Sequence, residues 1–105
     1  MLIVPSTPDA LSLQALMMTT GAIAKVNGAR YKVLLTIIPP RPNRDGEEMR
    51  QELQARGIPL FETGIRRFIA FQKAALAGVP VYEAPDARAK DAWSDYLKLG
   101  REISL

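Results

Sequence analysis

The sequence predicts an α/β fold in which short strands alternate with helices around a parallel sheet. The apolar run Tyr31–Ile38 is nearly continuous, which is typical of a parallel strand covered on both faces. Helical patterns closed by glycine or proline separate this run from other short apolar runs. We therefore expect residues 1–105 to form one domain with a partial, Rossmann-type parallel sheet of three to four strands and helices.

The first elements follow from apolar spacing and from turn residues. Leu2–Val4 is an apolar run closed by proline and predicts a buried strand. Ser12 is the expected N-cap of a helix from Leu13 to Val26, and Asn27-Gly28 is expected to end that helix. The strand Tyr31–Ile38 follows.

The middle of the chain contains a proline-rich loop and a polar helix. Three prolines within residues 39–46 exclude both helix and strand there. A helix is expected over Glu47–Arg56, with Met49 and Leu53 on its inner side. Ile58–Phe61 is predicted to be the third strand, because a proline near the start of a strand is tolerated.

The last third predicts a turn and two further helices. The turn is Thr63–Arg67, and a helix over Phe68–Ala77 should end at Gly78. Val79–Tyr82 is expected to be extended. The final helix opens at Pro85-Asp86, and its apolar stripe has spacings of three and four: Ala89, Trp93, Tyr96 and Leu97.

The composition excludes several classes of function. The chain contains neither cysteine nor histidine, which removes disulfides, cysteine–zinc sites, the Ser-His-Asp triad and the commonest general base. We predict no metal site and no catalytic residue. No apolar run approaches the length of a membrane span, so we expect a cytoplasmic protein without membrane contact. The net charge of +3 permits contact with nucleic acid without requiring it.

Three segments, in this order and spacing, resemble the C-terminal half of the ParA/MinD-type (deviant Walker) partition ATPases. The segment 2–13 is similar to the strand and loop after the family's second phosphate-sensing motif, and 33–41 to the strand that ends beside the bound base. Residues 61–81 resemble the family's strand, Ile-Pro-Arg-like turn, helix and glycine, with Arg66 where proline is frequent. The resemblance implies a P-loop NTPase-like fold and a role in plasmid or chromosome partition.

One family feature is missing from these 105 residues. They contain no Gly-x-x-x-x-Gly-Lys-Ser/Thr loop, which holds the phosphates in such enzymes. The sequence also opens in mid-strand, as if cut from something larger. We therefore expect the family's ATP and Mg²⁺ not to be bound by this chain alone, and expect no ATP hydrolysis from it. The alternative is a stand-alone, non-enzymatic module of the same fold that binds DNA or protein.

The candidate binding residues follow the ends of predicted strands, where open α/β sheets bind ligands. By resemblance, Pro39, Pro40 and Arg41 lie beside the nucleotide base, and Arg41 and Arg44 can also contact DNA. The alternative for these arginines is a solvated loop without a ligand.

Arg66 and Arg67 stand in the turn before a helix, where guanidinium groups can grip phosphates. The resemblance implies nonspecific DNA contact or nucleotide contact here, whereas the structural alternative is a salt bridge to Glu62 or Glu83. Among the acids, Asp9 is expected to cap or turn its loop. Glu47 and Glu48 are expected to stabilise a helix N-terminus; they are carboxylates without a catalytic role.

The strand Leu2, Ile3 and Val4 is the candidate dimer edge. By resemblance it lies beside the family's phosphate-loop strand, which this sequence lacks, so its outer backbone groups would be unpaired. Exposed apolar edges tend to pair with another chain. We therefore expect a homo-oligomer or a ParA-type partner.

Overall fold

A computed structural model of the chain describes residues 1–26 and 30–104. The predicted helix end at Asn27-Gly28 lies outside the described residues. Strands and helices alternate in the first half of the chain, whereas the second half is helical. The elements are β1 (Leu2–Ser6), α1 (Ala10–Ala24), β2 (Tyr31–Leu35), α2 (Asp45–Ala55), α3 (Ile69–Ala77), a 3-10 turn (Val81–Glu83) and α4 (Ala89–Ile103).

The described residues contain one parallel sheet of two strands, smaller than the expected sheet of three to four. β1 pairs with β2 from Leu2 opposite Tyr31 to Ser6 opposite Leu35, and α1 is the crossover between them. The segment 58–67, in which we expected a third strand, meets β2 and its extension only at isolated parallel bridges. Those bridges join Leu60 to Val33 and Arg66 to Ile38.

The backbone of this third segment explains why it is not a full strand. Pro59 has no N–H to donate, although its carbonyl accepts from the N–H of Val33 at 2.9 Å. The N–H groups of Glu62 and Thr63 donate to the Glu102 carboxylate of α4, at 2.8 and 2.9 Å. A helix side chain therefore takes hydrogen bonds that a neighbouring strand would otherwise receive.

α1 begins earlier than predicted because Asp9, not Ser12, is its N-cap. The Asp9 Oδ1 atom accepts from the N–H of Ser12 at 2.8 Å. The hydroxyl of Thr7 and the N–H and hydroxyl of Ser12 hydrogen-bond this carboxylate and lower its pKa. The expected role of Asp9 as a cap is confirmed, and the helix ends at Ala24 rather than at Val26.

Three clusters of buried apolar side chains form the core. One of them joins β2, the segment after α2 and α4: Leu34, Phe61, Ile65 and Leu99. The sheet-side core lies between the sheet and helices α1 and α2, and it includes the predicted inner residues of α2: Leu16, Val33, Leu35, Met49 and Leu53. The alanine cluster joins α3, α4 and the intervening turn: Ala70, Ala74, Ala84, Ala89 and Ala92.

The final helix buries only part of the predicted stripe, Ala89 fully and Trp93 partly. Its buried residues are Ala89, Ala92, Asp95 and Leu99. Trp93 is half-buried against Tyr82, with ring centroids 5.1 Å apart, whereas Tyr96 and Leu97 are 43% and 44% exposed. Small alanines face α3 because they let the two helices approach closely, so the bulky stripe is displaced outward.

α3 ends as the sequence predicts, at Gly78 in the left-handed conformation with φ 66°. The segment after it is not simply extended, because Val81–Glu83 forms a turn of 3-10 helix. α2 carries Asp45, Glu47 and Glu48 in its first turn, where acidic side chains favour the helix dipole. Within residues 1–26 and 30–104, every helix falls short of the length and apolar character needed to cross a membrane.

Candidate functional site: an arginine-lined cleft

The two loops that carry the candidate arginines meet at one edge of the sheet. The N–H of Ile65 donates to the carbonyl of Leu35 at 2.9 Å, and the N–H of Ile38 donates to Ile65 at 3.1 Å. The N–H of Arg67 then donates to the carbonyl of Ile38 at 2.8 Å. The backbone after β2 is therefore hydrogen-bonded to the turn 65–67. The two loops lie at one edge, as expected because parallel strands end at the same edge of a sheet.

Unusual backbone geometry accompanies this junction. Ile37 has φ 53°, a left-handed conformation that a β-branched residue rarely adopts and that costs about 1–3 kcal/mol. Ile38 then lies between Gly46 and Gly64. A Cβ atom at Gly46 would lie 2.7 Å from Ile38 Cγ2, and one at Gly64 would collide with Ile38 Cδ1. The two glycines therefore admit the side chain that joins the loops.

A cleft of about 660 Å³ opens beside this junction. Pro39 and Pro40 form part of its wall, together with residues of the turn 66–69 and of α3. Two carboxylates also line it, Glu47 and Asp86, against four arginines: Arg41, Arg66, Arg67 and Arg88. The excess of cationic groups suits an anionic ligand.

Arg41 and Arg44 share one carboxylate at the rim. Their guanidinium groups lie 3.2 and 3.1 Å from Glu47, and their side chains are 89% and 67% exposed. Arg41 lines the cleft, whereas Arg44 is not among the lining residues. Because exposed ion pairs contribute little, both guanidinium groups remain available to an external anion.

Arg66 is committed to a structural ion pair. Its Nε and Nη2 atoms donate to Asp95 at 2.9–3.2 Å, and its backbone N–H donates to the same carboxylate at 2.9 Å. The Asp95 side chain is 3% exposed. The hydrogen bonds with Asp95 raise the pKa of Arg66. The structural alternative, a salt bridge to Glu62 or Glu83, is wrong among the described residues: the partner of Arg66 is Asp95, 29 positions away.

Arg67, the next residue, is used differently. Its backbone is anchored to Ile38 while its side chain is exposed at the cleft. Among residues 1–26 and 30–104, no carboxylate lies within 4.0 Å of its guanidinium group. Arg67 therefore has a fixed backbone and a guanidinium free to bind a ligand.

Sequence reasoning missed the contribution of Phe68 and Arg88. The guanidinium groups of Arg66 and Arg88 lie 4.9 and 5.0 Å from the centroid of the Phe68 ring. The backbone N–H of Arg88 donates to Asp86, which also pairs with Lys73 at 3.0 Å. The guanidinium of Arg88 forms an exposed ion pair with Asp91. The N–H of Arg88, and then Lys73, lower the pKa of Asp86. Local spacing carries no signal for these contacts, because they join α3, the turn at 86 and the loop at 66.

The predicted edge residues belong to β1, which pairs with β2 along one edge and, within the described residues, with no strand along the other. Leu2 and Ile3 are 53% and 42% exposed, whereas Val4 is partly buried against the sheet-side core. The N–H of Leu2 donates to the carbonyl of Arg30 at 2.8 Å, on the side of β2. Because backbone groups alternate in direction along a strand, the backbone of Ile3 and Pro5 faces the open edge of β1. β1 continues through Pro5 to Ser6, and Pro5 lacks a donor on the open edge.

The side chains of the cleft are suited to binding an anionic ligand more than to transferring a proton. Guanidinium groups stay protonated and form bidentate, charge-assisted hydrogen bonds with phosphate oxygens. The carboxylates near the site are engaged, Glu47 with two arginines and Asp86 with Lys73. The arrangement therefore fits a phosphate-bearing ligand held by Arg41, Arg67 and Arg88.

Comparison with known proteins gives a relative that is similar to nearly the whole of this chain. The chain is 33% identical over 102 residues to the maintenance of carboxysome distribution protein A of Gloeobacter kilaueensis. The match includes 97% of this chain and 47% of that relative, so the chain spans about half the relative's length. No protein-family model matches the sequence.

Proposed function

We propose that this chain is the C-terminal portion of a ParA-like ATPase that segregates DNA or positions another cargo. The observation that carries the proposal is the joining of two strand-end loops into one cleft lined by four arginines. The name of the relative, maintenance of carboxysome distribution, adds a positioned cargo to the plasmid or chromosome role that the resemblance implies.

The nucleotide side of the proposal concerns the wall formed by Pro39 and Pro40. This apolar wall can lie against a flat base, and Arg41 at its end can reach the ribose or a phosphate. Residues 1–105 contain no Gly-x-x-x-x-Gly-Lys sequence, so in this proposal the phosphate-binding loop and its Mg²⁺ belong to a part of the ATPase outside these residues. The chain alone then contributes base contacts and no phosphoryl transfer.

The DNA side of the proposal rests on Arg41, Arg44 and Arg67. Each has an exposed side chain, and none is paired with a buried carboxylate. Arg66 is given a supporting role in the proposal, because Asp95 already takes its hydrogen bonds. Contacts of this kind are made to the phosphate backbone and do not discriminate sequence.

A titration of a labelled duplex of mixed sequence, followed by fluorescence anisotropy at several salt concentrations, tests the DNA contact. The magnitude of the slope of log affinity against log salt falls by about 0.9 for each phosphate that the protein no longer neutralises. Arg67→Ala should therefore weaken binding at low salt and flatten the slope by about one unit. Arg67 is preferred to Arg66 for this test because its removal leaves no buried carboxylate unpaired.

The matched control is Arg56→Ala, which removes the same charge from an exposed arginine that pairs with Glu52 away from the cleft. The control should change the slope much less than Arg67→Ala does. Equal slopes for the parent, Arg67→Ala and Arg56→Ala would refute the DNA contact. Binding that is unaffected when ATP and the N-terminal half of a ParA-like relative are supplied would favour the stand-alone module instead.

Self-association is the last part of the proposal. Leu2 and Ile3 form an exposed apolar edge. Pro5 has no backbone N–H, so it removes one hydrogen-bond donor from this edge. A homo-oligomer or a ParA-type partner would cover it. Light scattering over a dilution series, with Ile3→Lys as the comparison, tests this: a parent that stays monomeric at high concentration would contradict it.

A further inference from the structure

The segment 62–66 is held from two sides, and α4 supplies one of them. On one side the segment bonds to the backbone that continues β2. On the other, the N–H groups of Glu62 and Thr63 donate to Glu102, at 2.8 and 2.9 Å. The N–H of Arg66 donates to Asp95 at 2.9 Å. Two carboxylates of one helix thus receive three backbone donors of one segment.

The two carboxylates lie on different turns of α4. Asp95 and Glu102 are seven residues apart, about two helical turns, which is roughly 10.5 Å along α4. Thr63 and Arg66, which bond to these two carboxylates, are three residues apart in the segment. Because the two ends of the segment bond to different turns of α4, a slip of α4 along the segment would break both attachments.

The electrostatics of the two carboxylates also favour a fixed segment. Asp95 is buried, and the guanidinium of Arg66 neutralises it through two nitrogen atoms. Burial alone would raise the pKa of Glu102, but the hydrogen bonds from the N–H groups of Thr63 and Glu62 outweigh it and lower that pKa. Glu102 therefore accepts these hydrogen bonds as an ionised carboxylate.

The next residue along this segment is Arg67, whose guanidinium is free at the cleft. We propose that Asp95 and Glu102 are positioning residues that hold segment 62–66 against α4 and thereby aim Arg67 into the cleft. This inference rests on the proposed function for its binding readout. α4 then couples to the ligand site through two carboxylates that do not contact the ligand.

Glu102→Ala tests the inference, with DNA affinity as the first readout. Removing an acid makes the chain more positive, which on charge alone strengthens DNA binding. Mispositioning of Arg67 predicts the opposite: binding weaker by about three-fold or more. Glu52→Ala is the matched control, since it removes the same charge from an exposed acid of α2, and it should bind as tightly as the parent or more tightly.

A double-mutant cycle separates positioning from general damage. If Glu102 acts through Arg67, the variant lacking both side chains binds no more weakly than Arg67→Ala alone. Glu102→Gln retains one acceptor oxygen and should restore part of the affinity. Additive losses in the cycle, or tighter binding by Glu102→Ala, would overturn the inference.

A second readout keeps the inference testable if the chain binds no DNA and the proposed function fails. Hydrogen exchange, measured by NMR, should speed up at the amides of Glu62 and Thr63 in Glu102→Ala, and the Nε resonance of Arg67 should shift. The same signals should be unchanged in Glu52→Ala. An unchanged Arg67 resonance in Glu102→Ala would refute the positioning role whether or not DNA binds.

Discussion

The sheet-side core and the alanine cluster hold the molecule together in different ways. The first is filled by large side chains, with Val33, Leu35 and Leu53 fully buried. The second is made of alanines, which bury little surface each but let α3 and α4 lie close together. Burial of apolar area scales with side-chain size, so the sheet side supplies more hydrophobic stabilisation per residue.

On the helical side, ion pairs between side chains add to the weaker apolar packing. Arg66 with Asp95 fixes the loop before α3 to α4, and Lys73 with Asp86 fixes α3 to the segment before α4. The cleft lies where the two regions meet, because Pro39 to Glu47 belong to the sheet side and Arg66 to Arg88 to the helical side. The segment that leads to the cleft is therefore held by polar contacts and also by an apolar cluster that packs it against β2 and α4: Leu34, Phe61, Ile65 and Leu99.

The largest expected effect comes from removing a large side chain on the sheet side. Leu53→Ala should lower the free energy of unfolding by about 2–5 kcal/mol, because Leu53 is fully buried and leaves a cavity. The control is Leu76→Ala, the same change at a helical position that is 91% exposed, with an expected cost below about 0.5 kcal/mol. Urea denaturation followed by circular dichroism measures both. Equal costs would contradict the burial difference.

On the helical side the damaging change is the opposite one, small to large. Ala92→Leu should destabilise by about 1–3 kcal/mol, since Ala92 is fully buried between α3 and α4 and added methyl groups force the helices apart. The exposed Ala75→Leu, on the outer side of α3, is the control. A stabilising effect of Ala92→Leu in the same assay would mean that the cluster holds unfilled space.

A smaller effect distinguishes the two neighbouring arginines. Arg66→Ala should cost about 1–2 kcal/mol of stability, because it leaves the buried Asp95 carboxylate with the backbone N–H of residue 66 and no cation. Arg67→Ala should leave stability within about 0.5 kcal/mol of the parent. Thermal melts of the two variants, taken side by side, check this. An unchanged melting temperature in Arg66→Ala would remove the structural role assigned to that residue.

Local sequence signals predicted much of this fold. The apolar run 31–38 predicted β2, Gly78 predicted the end of α3, and the spacing of Met49 and Leu53 predicted the inner face of α2. Each depends on residues within one element. The strand-end rule also predicted that the loops at 41 and 67 meet at one edge, since parallel strands end together.

The features that could not be predicted depend on contacts between distant residues. The third strand was expected from apolar composition, but Glu102, about 40 residues away, takes the hydrogen bonds of Glu62 and Thr63. Asp95 carries no local signal of its burial, because its partner Arg66 lies 29 residues away in the sequence. Spacing alone groups Arg66 with Arg67 as a ligand contact, whereas within residues 1–26 and 30–104 Arg66 pairs with Asp95 and Arg67 has no carboxylate partner.

The central claim is that the two arginine-bearing loops form one anion-binding site. NMR chemical-shift mapping during a titration with a short DNA duplex tests it most directly. The amides of Arg41, Gly46, Arg67 and Gln72 should shift together with a single dissociation constant, while those of Leu2 and Ile3 stay unchanged. Shifts confined to one of the two loops, different dissociation constants for the two loops, or no shift at either loop would contradict the account.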